Sequence, residues 1–498
     1  MSIHRRVFRD SLKLGTGQVV TQACSFLRSV ILGRLISPAN FGIAATFAMT
    51  FYLLDMISNL AADTLLIQSE EGDNPSFENT AHLWQAGRGF VNAMLLFVIA
   101  GPAAHLFGDP QAKWAFQVLA VVPLISGFTH FDKSRVQREM KFGPSVWVDV
   151  SSNVLVTLAA LPLALWLRDY SAMLWVLVLQ AVCSTVASFM VAERRYGWEW
   201  NPRFAGKILA FGWPLTINGV LMFLIFQGDR FVIGAANHIF GRTTYSLADL
   251  GVYSITFALT MAPTMLVIKV TSSLFLPLLS KVQNLRAQFD QRCLSCCQAL
   301  SLMAAAISIP FMVSGGWLVT LVYGQKYAAA ASFVGWLGAM WALRIIRVGP
   351  TLAAMALGDT ENAMISNISR TTAFLGILVV AATGHSLAWI AACGFGGELL
   401  ALATCVWRLE HEHAVPWGLC FKPAAVAVAG MAVAAGLAAA GIEKAGWAAA
   451  FVVSPALFVM VGLAMFFVYP GLRPDVLVLV SKSRSSLSEE EAVVEAQV

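Results

Sequence analysis

Arg344 and Arg347 stand three residues apart in a stretch that is otherwise almost wholly apolar, so on a helix their guanidinium groups share one face. Arg28, Arg34 and Arg230 interrupt two other apolar stretches, and Arg88, Lys269 and Arg370 three more. Against these eight cations stand five acids in comparable positions, Asp55, Asp63, Asp149, Asp229 and Glu398, so mutual pairing cannot account for every cation. A guanidinium is planar, stays charged when desolvated and binds oxygens two at a time, which suits a phosphate or pyrophosphate. Arg28, Arg344, Arg347, Arg34 and Arg230 are therefore the expected contacts of an anionic substrate. Arg88, Lys269 and Arg370 lie within two or three turns of a stretch end and are the weaker candidates, since their side chains can equally snorkel to headgroups. Interfacial anchoring is the competing reading for Arg34 and Arg230. For Arg344 and Arg347 it is helix-to-helix pairing with Glu398 or Asp55.

Asp55, Asn59 and Asp63 recur at i, i+4 and i+8, which on a continuous helix lines one face with polar groups. Two readings stand: a proton or sodium site, or gating salt bridges to the arginines; structural pairing alone is the bland one. Asp229 and Asn218, eleven residues apart, share a second stripe that Arg230 does not join. Asp229 and Glu398 complete the candidates for ion coupling or gating. Cys293-x-x-Cys296-Cys297 has half of a zinc spacing but no second pair at a finger-like distance, and His411, His413 and Cys420 read as surface loop residues, so no metal is expected. Gly15-Thr16-Gly17 falls inside an apolar stretch, which excludes a phosphate loop, and no cofactor is expected beyond a proton or sodium gradient.

The elements that must carry these residues are membrane spans. The chain is 58% hydrophobic and 12% charged, where a soluble domain carries about 25% charge. Windows of about 20 apolar residues recur some fourteen times: near 13–36, 39–67, 81–107, 113–131, 144–167, 171–192, 207–234, 248–276, 294–322, 327–357, 361–383, 385–407, 421–442 and 446–469. An all-α polytopic membrane protein follows, with a tail over 470–498. The first stretch is too long and too charged for a cleaved signal peptide. Net charge is only +5 and basic residues sit in short runs between spans, which argues against a nucleic-acid partner. Those runs alternate: Arg5, Arg6, Arg9 and Lys13, then Lys133, Arg135, Arg138 and Lys141, then Arg194, Arg195, Arg203 and Lys207, then Lys281, Arg286 and Arg292, then Arg408 and Lys422, then Arg473, Lys482 and Arg484. Intervening loops hold only Lys113, Arg168, Arg242, Lys326 and Lys444. The positive-inside rule then places both termini in the cytoplasm. One break, Glu70 to Glu78, is acidic where a basic one is expected.

A faint repeat supports duplication. Phe41-Gly42-Ile43 followed by Phe47-Ala48-Met49-Thr50 echoes Leu250-Gly251-Val252 followed by Phe257-Ala258-Leu259-Thr260, six spans later. Copies an even number of spans apart share orientation, so their symmetry axis lies along the membrane normal. The expected organisation is an N-lobe over 1–192, a linker over 193–206, a C-lobe over 207–407, two additional spans over 421–469 and the tail.

Four segments carry a resemblance to a known family: Leu35-Ile36-Ser37-Pro38-Ala39-Asn40-Phe41-Gly42, Gln137-Arg138-Glu139-Met140-Lys141-Phe142, Gly228-Asp229-Arg230-Phe231-Val232-Ile233-Gly234 and Phe275-Leu276-Pro277-Leu278-Leu279-Ser280. In order and position relative to the spans they resemble the polysaccharide-transporter family of Wzx-like oligosaccharide-lipid flippases, in the superfamily that also holds multidrug and toxin exporters. The resemblance implies two six-helix lobes around a cavity that opens alternately to each side. It implies as substrate a polyprenyl-pyrophosphate-linked oligosaccharide repeat unit, flipped to the periplasmic leaflet for exopolysaccharide, capsule or O-antigen synthesis. Membrane lipid and other polysaccharide export or polymerisation proteins are the implied partners. The same fold with a peptidoglycan lipid precursor or a cationic drug as cargo is the nearest alternative, and excess arginine argues against a cation. A membrane polymerase or ligase is remote, because the longest extracytoplasmic loop, Ala235 to Asp249, offers only one His, one Arg and one Asp, too little for a catalytic centre. A fluorescent reporter fused after Val498 should fold and fluoresce in the cytoplasm, and a phosphatase reporter there should be inactive; the opposite pair of results would invert the topology.

Overall fold

The computed structural model describes residues 3–139, 141–241 and 243–468, and among these every regular element is helical. Met140, Arg242 and the 470–498 tail, with its Arg473, Lys482 and Arg484, lie outside the described residues. Eleven helices are long and apolar enough to cross a bilayer, from Pro38–Ser58 to Ala449–Phe467, and up to thirteen if two bent pairs each count as one span. The helix Ile3–Leu35 has the length to cross as well, and Gln18, Gln22, Arg28 and Arg34 make it more polar than the rest. With it the count is compatible with fourteen.

The helices are built inside out relative to a soluble protein. On Pro75–Leu106 the buried face carries Ala86, Gly89, Asn92, Leu96, Ala100 and Ala103, while Phe90, Met94, Phe97 and Val98 are exposed at helical spacing. Lipid tails are as apolar as any core, so large side chains gain nothing by turning inward, and small ones let backbones approach. Chain contacts gather the residues into two compact units. One comprises 1–262, 319–332 and 371–394, and the other 263–318, 333–370 and 395–498. In the first, Ile3–Leu35 packs on Gly143–Leu167, which packs on Ser171–Met190, and Pro202–Phe240 packs on Pro38–Ser58. In the second, Gly418–Ala439 packs on Val334–Ala356 and on Ser454–Val468, over a core that includes Leu300, Ile309, Ile346, Leu402 and Met431.

Two local signals place the Pro38–Ser58 helix. Ser37 is its N-cap, accepting the Asn40 amide at 3.2 Å, and Pro38 occupies the first turn, where a missing N–H costs nothing. At its far end the expected continuous stripe fails: the helix stops at Ser58, Asn59 Oδ1 accepts the Ala61 amide at 2.9 Å, and Ala61 turns left-handed with φ of 49°. Asp63 therefore belongs to a separate short helix, Ala62–Gln68, and is exposed. The side chain of Asn59 competes with the backbone for an amide, which an i, i+4 count does not register.

The acidic break also finds its reason. Glu71 pairs with Arg203 at 2.6 Å and with Lys207, Arg138 Nη2 donates to Glu70 O at 3.0 Å, and Arg194 Nη1 lies 3.3 Å from Glu78. The Lys207 hydrogen bond and the neighbouring guanidinium hold the Glu71 carboxyl below the usual carboxylate range. Residues 70–78 thus share one end of this unit with the basic runs at 138 and 194–207.

The echoing segments touch. A Cβ on Gly42 would penetrate Leu247 O and come 3.2 Å from Gly251 N; a Cβ on Gly251 would penetrate Pro38 O and come 2.9 Å from Gly42 N. Each carbonyl lies four residues before the partner glycine, so the contact is reciprocal, as a local two-fold relation requires. Gly42→Val and Gly251→Val should each cost about 1–3 kcal/mol or more, read as a fall in melting temperature of the detergent-purified protein. Gly15→Ala, where a Cβ meets nothing within 4 Å, is the control expected to melt like wild type.

Candidate functional site

In the second unit one acid collects three cations. Glu398, on the Leu387–His413 helix, is fully buried. Arg370 Nε lies 2.8 Å from its Oε1, Arg344 Nη1 3.6 Å from the same oxygen, and Arg347 Nε 3.4 Å from Oε2. Arg347 also donates to Ser366 Oγ at 3.1 Å and Asn367 Oδ1 at 3.3 Å, and the Arg344 guanidinium stands 5.5 Å from the Trp341 ring. The arginines come from Val334–Ala356 and Glu361–Thr371, so three helices converge on one carboxylate. Three guanidinium groups share this one carboxylate, in a setting where buried charge is expensive. Such a site can bind an oxyanion through fixed donors. The expected pairing of Arg344 and Arg347 is thus with Glu398, and Asp55 is engaged elsewhere. Arg370, weighed as a headgroup anchor, is instead buried against Glu398: its distance along the chain from a span end did not reveal the depth at which the helix packs.

The first unit separates the other candidates. Arg28 donates to Gln180 Oε1 at 3.2 Å and Asn153 Oδ1 at 3.4 Å, with no ion pair to a carboxylate among the described residues. Asn153 and Gln180 went unnoticed in sequence because uncharged amides in apolar stretches are not costly enough to stand out. Arg88 Nη2 pairs with Asp55 at 3.1 Å, while its Nε and Nη1 are buried without a hydrogen bond. Arg34 is spent on the backbone: it donates to Val322 O at 2.7 Å and to Leu321 O, the final carbonyls of the Arg286–Tyr323 helix, and Lys326 Nζ returns to Arg34 O at 2.8 Å. Arg230 lies 4.2 Å from the Phe257 ring centroid and donates to Phe226 O. Asp229 Oδ1 lies 3.8 Å from its Nε, a contact made by the long side chain folding back over its own turn although the two residues occupy different stripes of the helix. Tyr253 Oη donates to Asp229 Oδ2 at 2.8 Å, so this acid is satisfied in place. Lys269 is exposed on its helix.

Sequence reading missed a further polar cluster. Glu78, His82 and His130 are buried with ligand atoms within 4.8 Å of one another. The two imidazoles are engaged by the backbone, while Glu78 Oε1 is buried without a hydrogen bond among the described residues. His82 Nε2 accepts the Phe131 amide at 3.1 Å; His130 Nδ1 accepts the Asp132 amide at 3.1 Å, while its Nε2 sits 3.1 Å from Arg194 O. Asp132 in turn accepts the Glu193 amide at 2.6 Å and the Arg194 amide at 3.2 Å, and pairs with Arg135 at 2.5 Å. Tyr196 stacks on His82 at 4.1 Å, and burial pushes its hydroxyl up to about 12. The cluster therefore ties down part of the segment expected as the inter-lobe linker over 193–206, and a cation bound by all three side chains would have to displace the Asp132 amide from His130.

Comparison with known proteins bears on this geometry. The profile of the family described as "Polysaccharide biosynthesis protein" matches residues 31–332. The chain is 24% identical over 328 residues to the succinoglycan biosynthesis transport protein ExoT of Rhizobium meliloti (strain 1021), covering 63% of this chain and 62% of that protein's length. It is 19% identical over 385 residues to the lipopolysaccharide biosynthesis protein WzxC of Escherichia coli (strain K12), covering 76% of each. In fold it is similar to an inward closed structure of the lipid II flippase MurJ, with a TM-score of 0.70 at 11% identity over 93% of this chain and 99% of that one. An inward-facing structure of a multidrug resistance MATE family transporter gives a TM-score of 0.62 at 12% identity, over 79% of this chain and 95% of that one. Similarity to both shows that the chain shares the fold of these two proteins.

Because Glu398 neutralises part of a buried cationic cluster, Glu398→Gln should destabilise the protein by about 3–5 kcal/mol, measured as thermal unfolding in detergent. Adding Arg370→Met to that variant should recover part of the loss, whereas equal melting of Glu398→Gln and wild type would show the cluster to be held by other groups.

Proposed function

Because the chain belongs to the polysaccharide biosynthesis protein family, we propose that it is a flippase carrying a polyprenyl-pyrophosphate-linked oligosaccharide repeat unit from the cytoplasmic to the periplasmic leaflet by alternating access. The observation that carries this reading is the convergence of three guanidinium groups at Glu398. A pyrophosphate diester has one ionised oxygen on each phosphorus, which planar guanidinium donors bind well, and Arg344, the most exposed of the three arginines, would meet it first. Arg28, with amide partners in place of a carboxylate, is a second contact suited to the anion or its sugar. Arg34 and Arg230 act in this scheme as helix-end and ring contacts that shape the route. The polar headgroup crosses within protein while the lipid tail stays in the bilayer, which avoids the largest desolvation cost.

The remaining assignments are parts of the same proposal. The protein resides in the bacterial inner membrane with both termini cytoplasmic, as two six-helix lobes over 1–192 and 207–407 and an additional pair over 421–469. The Asp55–Arg88 pair serves as a gate contact, and coupling to a proton or sodium gradient acts through Asp55, Asp229 or Glu398. Lipid-linked oligosaccharide and membrane lipid are its ligands, and polysaccharide export or polymerisation proteins receive its product. A peptidoglycan precursor as cargo would use the same anion chemistry; a cationic drug would meet repulsion at the arginine cluster.

Deleting the gene should leave the lipid-linked repeat unit facing the cytoplasm, detected by its inaccessibility to a periplasmic glycan label. The doubly substituted Arg344→Ala, Arg347→Ala protein should insert at the wild-type level yet fail to restore labelling, with export reduced at least about 100-fold for two lost charge-assisted contacts. Restoration of labelling by that variant would remove the Glu398 cluster from the mechanism.

A further inference from the structure

Three cysteines distant in sequence meet inside the second unit. Cys293 and Cys297 are four residues apart on the Arg286–Tyr323 helix and so share a face; Cys420 sits in the first turn of Gly418–Ala439. Their Sγ atoms all lie within 4.8 Å of one another, Cys297 to Cys420 at 3.6 Å, and the three residues are no more than 2% exposed. This corrects the reading of Cys420 as a surface loop residue. His413, read in the same way, lies 3.3 Å from Asp359.

The cluster is assembled from several sides before any ligand arrives. Gly349 brings the Val334–Ala356 helix against it without a side chain, since a Cβ there would stand 2.8 Å from Cys297 Sγ. Arg286, two turns before Cys293, donates to His413 O at 2.8 Å and to Ala414 O, so the helix that bears two thiols also holds the segment leading to the third. Asp359 ties the same segment through His413 and Arg408. Burial favours the protonated form of Asp359, but the Asn362 amide, Arg408 and His413 outweigh it and hold its carboxyl below the usual range.

Sulfur chemistry limits what such a cluster can do. A disulfide joins two thiols and strands the third. A metal ion at about 2.3 Å from three sulfurs places them about 4.0 Å apart in a trigonal plane and about 3.8 Å apart on a tetrahedral face, both within the observed spread. Thiolates select soft ions and exclude calcium and magnesium, which demand oxygen ligands. We propose that Cys293, Cys297 and Cys420 form a tris-thiolate site for a soft d10 metal ion, which clips the C-terminal helices onto the Arg286–Tyr323 helix. Binding of a divalent ion converts three thiols to three thiolates and releases three protons, giving a complex of charge −1. A monovalent ion would leave −2, so burial favours the zinc group over Cu(I).

The test titrates the reduced, chelator-stripped full chain in detergent with Cd2+, following sulfur-to-cadmium charge-transfer absorption against a competing chelator, with Cu+ in a parallel series. One Cd2+ per chain should bind, tighter than Cu+ in the same competition, and Cys420→Ser should weaken it by on the order of 100-fold while Cys183→Ser binds like wild type. Equal Cd2+ binding by Cys420→Ser and wild type, or no charge-transfer band in wild type, overturns the site; tighter Cu+ binding overturns the preference for a divalent ion. X-ray absorption of the wild-type Cd2+ adduct needs no variant: a shell of three sulfurs supports the proposal, and an oxygen or nitrogen shell refutes it.

Discussion

A single buried carboxylate sets the terms for the second unit. Glu398 has no contact with solvent and three guanidinium groups around it, drawn from two other elements. In a medium of low dielectric such a group cannot be left alone, and neither can the arginines. The helices that carry them must therefore pack with their polar faces together, whatever their apolar faces would prefer. The same arrangement gathers three guanidinium groups at one place, so one cluster both clamps the helices and presents a set of fixed cationic donors.

The first unit treats its charged side chains differently. Arg88 has Asp55, Arg230 has Asp229 and an aromatic ring, and the exposed Arg34 satisfies helix-terminal carbonyls. Arg28 donates to two side-chain amides and has no ion pair to a carboxylate among the described residues. Polar groups that would each be costly in lipid become tolerable through local partners, and backbone approach is then controlled by small residues. Gly42 and Gly251 show the limit: each faces a carbonyl of the opposing helix so closely that no side chain fits. With hydrocarbon on the outside, close backbone packing and polar pairing, more than burial of large side chains, hold such a molecule together.

Residue spacing along the chain made the membrane class and the span pattern legible and singled out Arg344 and Arg347, because hydrocarbon thickness and the cost of buried charge act on every sequence alike. It also suggested the repeat at Gly42 and Gly251, since a glycine opening an apolar helix leaves a pattern. What it could not supply was partner identity. Arg370 seemed near enough to a span end to escape to the interface, Asn59 seemed to continue a helix that it ends, and Cys420 seemed to belong to a loop. In each case the deciding contact, with Glu398, with the Ala61 amide or with Cys297, involves geometry absent from a local periodicity count. The sequence by itself determined which residues are too costly to be idle in a bilayer. Only the tertiary structure decided which of them meet and in what geometry, because those choices depend on distances of a few ångströms between segments far apart in the chain.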